Sequence, residues 1–144
     1  METETVGRVL TEAKIENLKD LWDVECGRMR AEDARAVEVT DALVDSGATL
    51  LSMSIHMIAR LGLKQTGTRR VRSSLGTGVT RMFEAVRLTI QGRECTVDVM
   101  EVPDDTPVLI GQLPLESLDF VIDMTGHRLI GNPRHGGEHI TELY

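Results

Sequence analysis

A chain of 144 residues with 41% apolar and 27% charged residues is long enough to bury a core without covalent staples and reads as one folded domain over residues 1–144. Its net charge of −7 and an aromatic content of 3% leave neither a cationic footprint for a phosphate backbone nor rings for bases to stack on, which excludes nucleic acid as the expected partner. Two cysteines, Cys26 and Cys95, make no disulfide framework and no paired zinc spacing, and no apolar run approaches the roughly 20 residues of a membrane span, so a reduced, cytoplasmic, unexported protein is expected.

In chain order, Val9, Ala13 and Ile15 alternate with Arg8, Glu12, Lys14 and Glu16, the period of a half-buried strand. Asn17 to Asp20 reads as a turn, Leu21 to Val24 as a strand pairing back on the first, and Gly27 to Asp33 as a surface excursion before a strand from Arg35 to Val39. Ala42-Leu43-Val44 is apolar without alternation, as in a strand covered on both faces, and it runs directly into Asp45-Ser46-Gly47-Ala48. Ile55, Ile58 and Ala59 have helical spacing, with Ser54 as N-cap and Gly62 as stop. Beyond Gly67 come a basic run, Arg69 to Arg72, a hairpin tip at Leu75-Gly76-Thr77-Gly78-Val79, and two alternating strands around Val86, Leu88 and Ile90 and around Cys95, Val97 and Val99, joined by Gln91-Gly92-Arg93. Two prolines and paired aspartates make Val102 to Pro107 a loop, after which Val108-Leu109-Ile110 is a second buried strand ending at Gly111. Leu113 to Leu118 suits a helical turn or two, Phe120-Val121-Ile122 and Leu129-Ile130 flank a turn at Thr125-Gly126, and the polar tail beyond Asn132 reads as loose.

A carboxylate at the end of a buried strand is placed for proton chemistry, although Asp-Ser-Gly alone is also ordinary turn chemistry. The order of features carries more. Leu43-Val44-Asp45-Ser46-Gly47-Ala48, a short helix, a hairpin with a Gly-x-Gly tip, two alternating strands and Leu109-Ile110-Gly111 before a helical turn together resemble the retropepsin family of aspartic proteases, over about Arg35 to Ile130. The resemblance implies an all-β acid-protease barrel half with one or two short helices, working as a homodimer. It implies that Asp45 of each copy meets at a twofold axis, where the pair holds one proton and activates a water that attacks a peptide carbonyl, because two carboxylates about 3 Å apart do not both ionise cheaply. Ser46 would hydrogen-bond across the dyad, Gly47 would let the backbone approach the carboxylate, and Ala48 would leave room beside it. Leu75, Gly76, Thr77, Gly78 and Val79 would form a flap closing over an extended peptide or protein substrate.

Other features point elsewhere with less force. Arg69, Arg70 and Arg72 suit either acidic substrate side chains or a solvated edge that resists aggregation. His135, Glu138 and His139 have donor atoms for a metal, but in a glycine-rich terminus a flexible polar end is the simpler account, so no metal and no cofactor are expected. Departures from the family are Gln112-Leu113-Pro114 after the late glycine, a longer opening from Val6 to Asp33, and a tail from Asn132 to Tyr144. The rival readings are a non-catalytic peptide-binding or dimerisation module of the same fold, and a monomeric barrel without a site.

Overall fold

The computed structural model describes residues 8–143, and its first strand is the alternating one: β1 (Val9–Asn17) buries Val9, Ala13 and Ile15 and exposes Leu10, Glu12 and Lys14. Asn17 does not turn the chain. Its side-chain oxygen accepts the Asp20 backbone N–H at 2.9 Å and its Nδ2 donates to the Leu61 carbonyl at 2.7 Å, so it caps a helix, α1 (Leu18–Glu25), where a returning strand was expected at Leu21 to Val24. Leu18, Leu21 and Val24 recur at helical spacing, which the short segment disguised as a strand.

Asp20, buried on α1, accepts two bonds from the Arg35 guanidinium, at 2.8 and 3.0 Å, and the Arg35 backbone N–H at 3.0 Å. The guanidinium also lies against Gly62, a residue in the left-handed region (φ 67°) that ends α2 (Ile55–Leu61), as a glycine stop should. Ser54 caps the other end of α2 by accepting from Met57 N–H.

The strand after Arg35 is longer than its sequence pattern. β2 (Ala36–Val44) runs antiparallel to β1, and between the pairs Thr11↔Ala42 and Ala13↔Val39 it carries one extra residue. That bulge switches the buried set from odd positions (Val37) to even ones (Ala42, Val44), which is why one strand looked like two. β3 (Leu51–Ser54), absent from the sequence reading, is buried at all four positions and has no alternation to reveal it. There follow β4 (Gln65–Ser73), β5 (Gly76–Ile90), β6 (Arg93–Val102), β7 (Leu109–Ile110), α3 (Gln112–Leu118) and a separate hairpin, β8 (Phe120–Asp123) with β9 (Arg128–Gly131). The helices thus number three among the described residues, against one or two expected.

The large sheet has the order β1-β2-β7-β3-β6-β5-β4, and β1 also pairs with β5 from Lys14↔Thr89 to Asn17↔Val86. This second pairing closes a six-stranded half-barrel around Ile15, Met53, Leu88, Val99 and Ile110, all essentially buried, and leaves β4 as an outer edge strand. Gln91 and Gly92, with φ of 50° and 80°, make the two-residue turn between β5 and β6. Among the described residues no helix is long and apolar enough to cross a membrane.

The tail is not loose. After a 3-10 turn at Pro133–His135, it is tied to Asp119, the left-handed residue that ends α3. Asp119 receives Asn132 Nδ2 at 3.1 Å and the Ile140 N–H at 3.1 Å, and it bonds His135 Nδ1 at 2.6 Å, while His135 Nε2 meets Glu142 at 2.7 Å. Arg93 stacks on Phe120 and donates to the Leu118, Asp119 and Gly137 carbonyls, so the strap crosses from β6 to the terminus.

Candidate active site

β7 lies between β2 and β3, parallel to the first (Leu43↔Leu109, Val44↔Ile110) and antiparallel to the second (Leu51↔Ile110). The Leu43 N–H donates to the Val108 carbonyl at 2.8 Å and the Asp45 N–H to the Ile110 carbonyl at 2.9 Å, so the ladder extends to the aspartate itself. Asp45 is half-buried where that ladder ends. The chain then turns: Ala48 N–H donates to the Asp45 carbonyl at 3.0 Å, and Gly47 N–H donates to Asp45 Oδ1 at 2.9 Å. A Cβ on Gly47 would stand 3.2 Å from the same oxygen and crowd the carboxylate. Ser46 sits exposed at the crest of the turn.

The loop is held from beneath by the start of α3. No side chain caps this helix at Gly111. Instead Gly111, Gln112 and Leu113 donate their N–H groups to the carbonyls of Leu50, Ala48 and Thr49 at 2.9, 2.9 and 3.0 Å, which satisfies donors that a helix start otherwise leaves unpaired. A Cβ on Gly111 would lie 2.6 Å from the Leu50 oxygen and the Thr49 carbonyl carbon, both backbone, so only glycine fits. The two motifs singled out in the sequence, Leu43 to Ala48 and Leu109 to Gly111, are thereby one structure. Gln112 departs from the family pattern without loss of this support, because its contribution is a backbone N–H; its side chain bonds Glu116.

The β4–β5 hairpin differs from its sequence reading in detail. Ser73 pairs with Gly76, so the turn residues are Ser74 and Leu75, and Gly76, Thr77, Gly78 and Val79 belong to β5 opposite β4. Leu75 is 98% exposed. The last pair joining β5 to β6 is Met82↔Met100, so the strand ends from Gly76 to Arg81 ladder only with β4 and project as a two-stranded arm. At its root Thr80 Oγ1 donates to the Glu101 carbonyl at 2.7 Å and Arg81 pairs with the Glu101 carboxylate.

Among the described residues no three His, Cys, Asp or Glu side chains are grouped to hold a metal; His135 is engaged by Asp119 and Glu142, and His139 donates to the Ser117 carbonyl. A cleft of about 530 Å³ lies between α1 and β5, lined by Leu18, Trp22, Leu63 and Glu84, and includes no residue of the Asp45 loop. The Asp20–Arg35 and Asp119–His135 pairs were not read from the sequence; only the acidic third position of α1 hinted at the first, and nothing local marked the second.

The family model described as "Aspartyl protease" matches residues 25–113. Among solved structures, the chain is similar to EIAV protease complexed with the inhibitor HBY-793, with a TM-score of 0.52 and 16% identity over 77% of this chain and 88% of that one. It is also similar to Simian Foamy Virus (mac) protease, with a TM-score of 0.45 and 17% identity over 76% of this chain and 93% of that one. No curated protein matches. The first likeness establishes the fold as the half-barrel of a retroviral protease.

Proposed function

This chain belongs to the aspartyl protease family, and from that premise we propose that two copies form an endopeptidase in which Asp45 and its counterpart share one proton and activate a water. The observation that carries the reading is the setting of Asp45. It stands at the end of a buried ladder, with Gly47 N–H on one carboxylate oxygen and its loop clamped by the first N–H groups of α3. A turn aspartate without chemical duty needs no such two-sided support.

The 144 residues contain a single Asp-Ser-Gly, and this reading takes the second carboxylate from a second copy. Exposed Ser46 and the half-exposed Leu10 and Leu113 beside the loop are what such a partner would cover. Asp45 unprotonated takes a proton from water as the oxygen attacks the peptide carbonyl, while the protonated partner donates to the forming oxyanion. Ser46 ties the two loops together, and Ala48 leaves space next to the carboxylate. The projecting arm, with Leu75, Gly76, Thr77, Gly78 and Val79 at and behind its tip, serves as the flap that closes over an extended peptide and excludes water.

The test compares wild type with Asp45→Asn on a diverse peptide pool, with products read by mass spectrometry and subunit number by solution mass. The expected result is a dimer in both cases and a loss of turnover of about 10³-fold or more in the variant. Undiminished cleavage by Asp45→Asn overturns the assignment, and a wild-type dimer that binds peptides but cuts none favours the non-catalytic binding module.

A further inference from the structure

From Gln65 to Phe83 the chain contains four arginines and no aspartate or glutamate, in a protein whose net charge is −7. Arg81, at the root of the arm, is paired with Glu101. Arg69, Arg70 and Arg72 are exposed and have no ion-pair partner among the described residues; opposite them stand Thr80, Val79 and Thr77. Opposite charges across a strand pair stabilise it, and the Arg81–Glu101 pair shows that this protein uses such contacts. The arm forgoes them at all three of these positions. An edge strand needs charge to deter pairing with another sheet, and β4 is an edge, but that need is met by one or two charges and does not require carboxylates to be absent from the facing strand.

We propose that this arm is a cationic clamp which selects acidic peptide segments, with Arg70 and Arg72 pairing with carboxylates at alternate positions of an extended substrate. The inference rests on the protease reading and adds the substrate class. Arg70 and Arg72 lie on one face of β4, roughly 7 Å apart along the strand, and alternate side chains of an extended peptide have the same repeat. Arg69 lies on the opposite face with Val71 and Gly78, so either side of the arm presents positive charge. Guanidinium forks match carboxylates bidentately. The arm's exposed apolar groups are Leu75 and Val79 and it carries no aromatic ring, so it has no surface on which bases stack; the charge complement is therefore an acidic peptide.

The experiment uses the non-cutting Asp45→Asn dimer and fluorescent peptides of one length and apolar content, carrying at two alternate positions Glu, Gln or Lys. Binding is followed by anisotropy at low salt and at high salt, with wild-type kcat/KM measured on the same peptides. The Glu peptide should bind about tenfold more tightly than the Gln peptide at low salt, and the advantage should shrink at high salt and fall to near unity in Arg70→Gln/Arg72→Gln. Circular dichroism and thermal unfolding of that variant confirm that it is folded. Equal binding of Glu and Gln peptides, a preference that survives the double substitution, or an oligonucleotide of the same charge binding as tightly as the Glu peptide each overturns the proposal. If wild type cleaves peptides without regard to acidity, the clamp fails and the protease reading stands; if acidic peptides bind selectively but nothing is cut, the protease reading fails and the clamp stands.

Discussion

At Gly111 the absence of one carbon atom determines whether two distant segments can touch. A Cβ there would press into backbone atoms of the Leu50 and Thr49 region that have no rotamer to change, so Gly111→Ala should destabilise the protein by about 1–3 kcal/mol and lower its thermal midpoint by several degrees, as read by scanning calorimetry. Arg35 behaves differently, because its guanidinium is half in water while the carboxylate it serves is 2% exposed. Arg35→Ala leaves Asp20 buried without its partner and should cost about 2 kcal/mol, below the range for a fully buried pair. The Arg35 hydrogen bonds hold the Asp20 carboxyl below the ordinary carboxylate range against the opposing effect of burial. Its folded value is depressed, so this contribution is present above about pH 4 and is lost as acid protonates the folded group; in Arg35→Ala, stability should therefore depend less on pH on the acid side. A thermal-midpoint profile with the same acid slope as wild type would count against the pairing.

At the scale of elements, the terminal strap depends on pH from both directions. Hydrogen bonding to His135 lowers the Asp119 carboxyl from 3.8 to about 2, and bonding to Glu142 and then Asp119 raises His135 above 6.5. The Asp119 contribution is complete above 3.8 and lost as pH falls through about 2, whereas the His135 contribution is complete below 6.5 and lost as pH rises through its elevated value. The Ile140 amide, relative to its intrinsic exchange rate, should be best protected and residues 132–143 most resistant to proteolysis between those limits, with both falling off outside them; His135→Ala should remove the alkaline loss by making the tail open throughout. No local pattern announces this strap, since the residues it joins belong to the end of α3 and the terminus. Elements with clean periodicity were legible from sequence: β1, α2, β5, β6 and the β8–β9 hairpin were all marked by spacing or by turn residues. α1 was not, because eight residues hold too few repeats to separate a helix from a strand, and β2 was split because its bulge shifts the apolar phase. The Asp45 loop and its Gly111 support were readable as motifs, while the contact between them required the fold.

For the whole molecule, closure of β1 onto β5 produces a half-barrel that carries a single Asp-Ser-Gly turn, at Asp45. If activity belongs to a pair, mixing wild type with an excess of Asp45→Asn subunits and allowing exchange should reduce turnover as the square of the wild-type fraction. A merely proportional decline, measured by peptide hydrolysis at constant total protein, would mean that each subunit acts alone. If the cationic arm captures substrate as proposed, ionic strength should change KM more than kcat in peptide hydrolysis.

The insertion of β7 between β2 and β3 has a consequence in time. When the ribosome has delivered the chain as far as Val102, every residue of the Asp45 loop has been made, yet the strand that accepts its N–H and the helix start that grips its carbonyls have not. Until Leu113 emerges, β2 and β3 face each other across an empty slot, and closing that slot requires contacts of long sequence separation, which form slowly. The Asp45 turn is thus expected among the last parts to mature, so a prematurely terminated chain possesses the aspartate without the ladder and helix start that hold it.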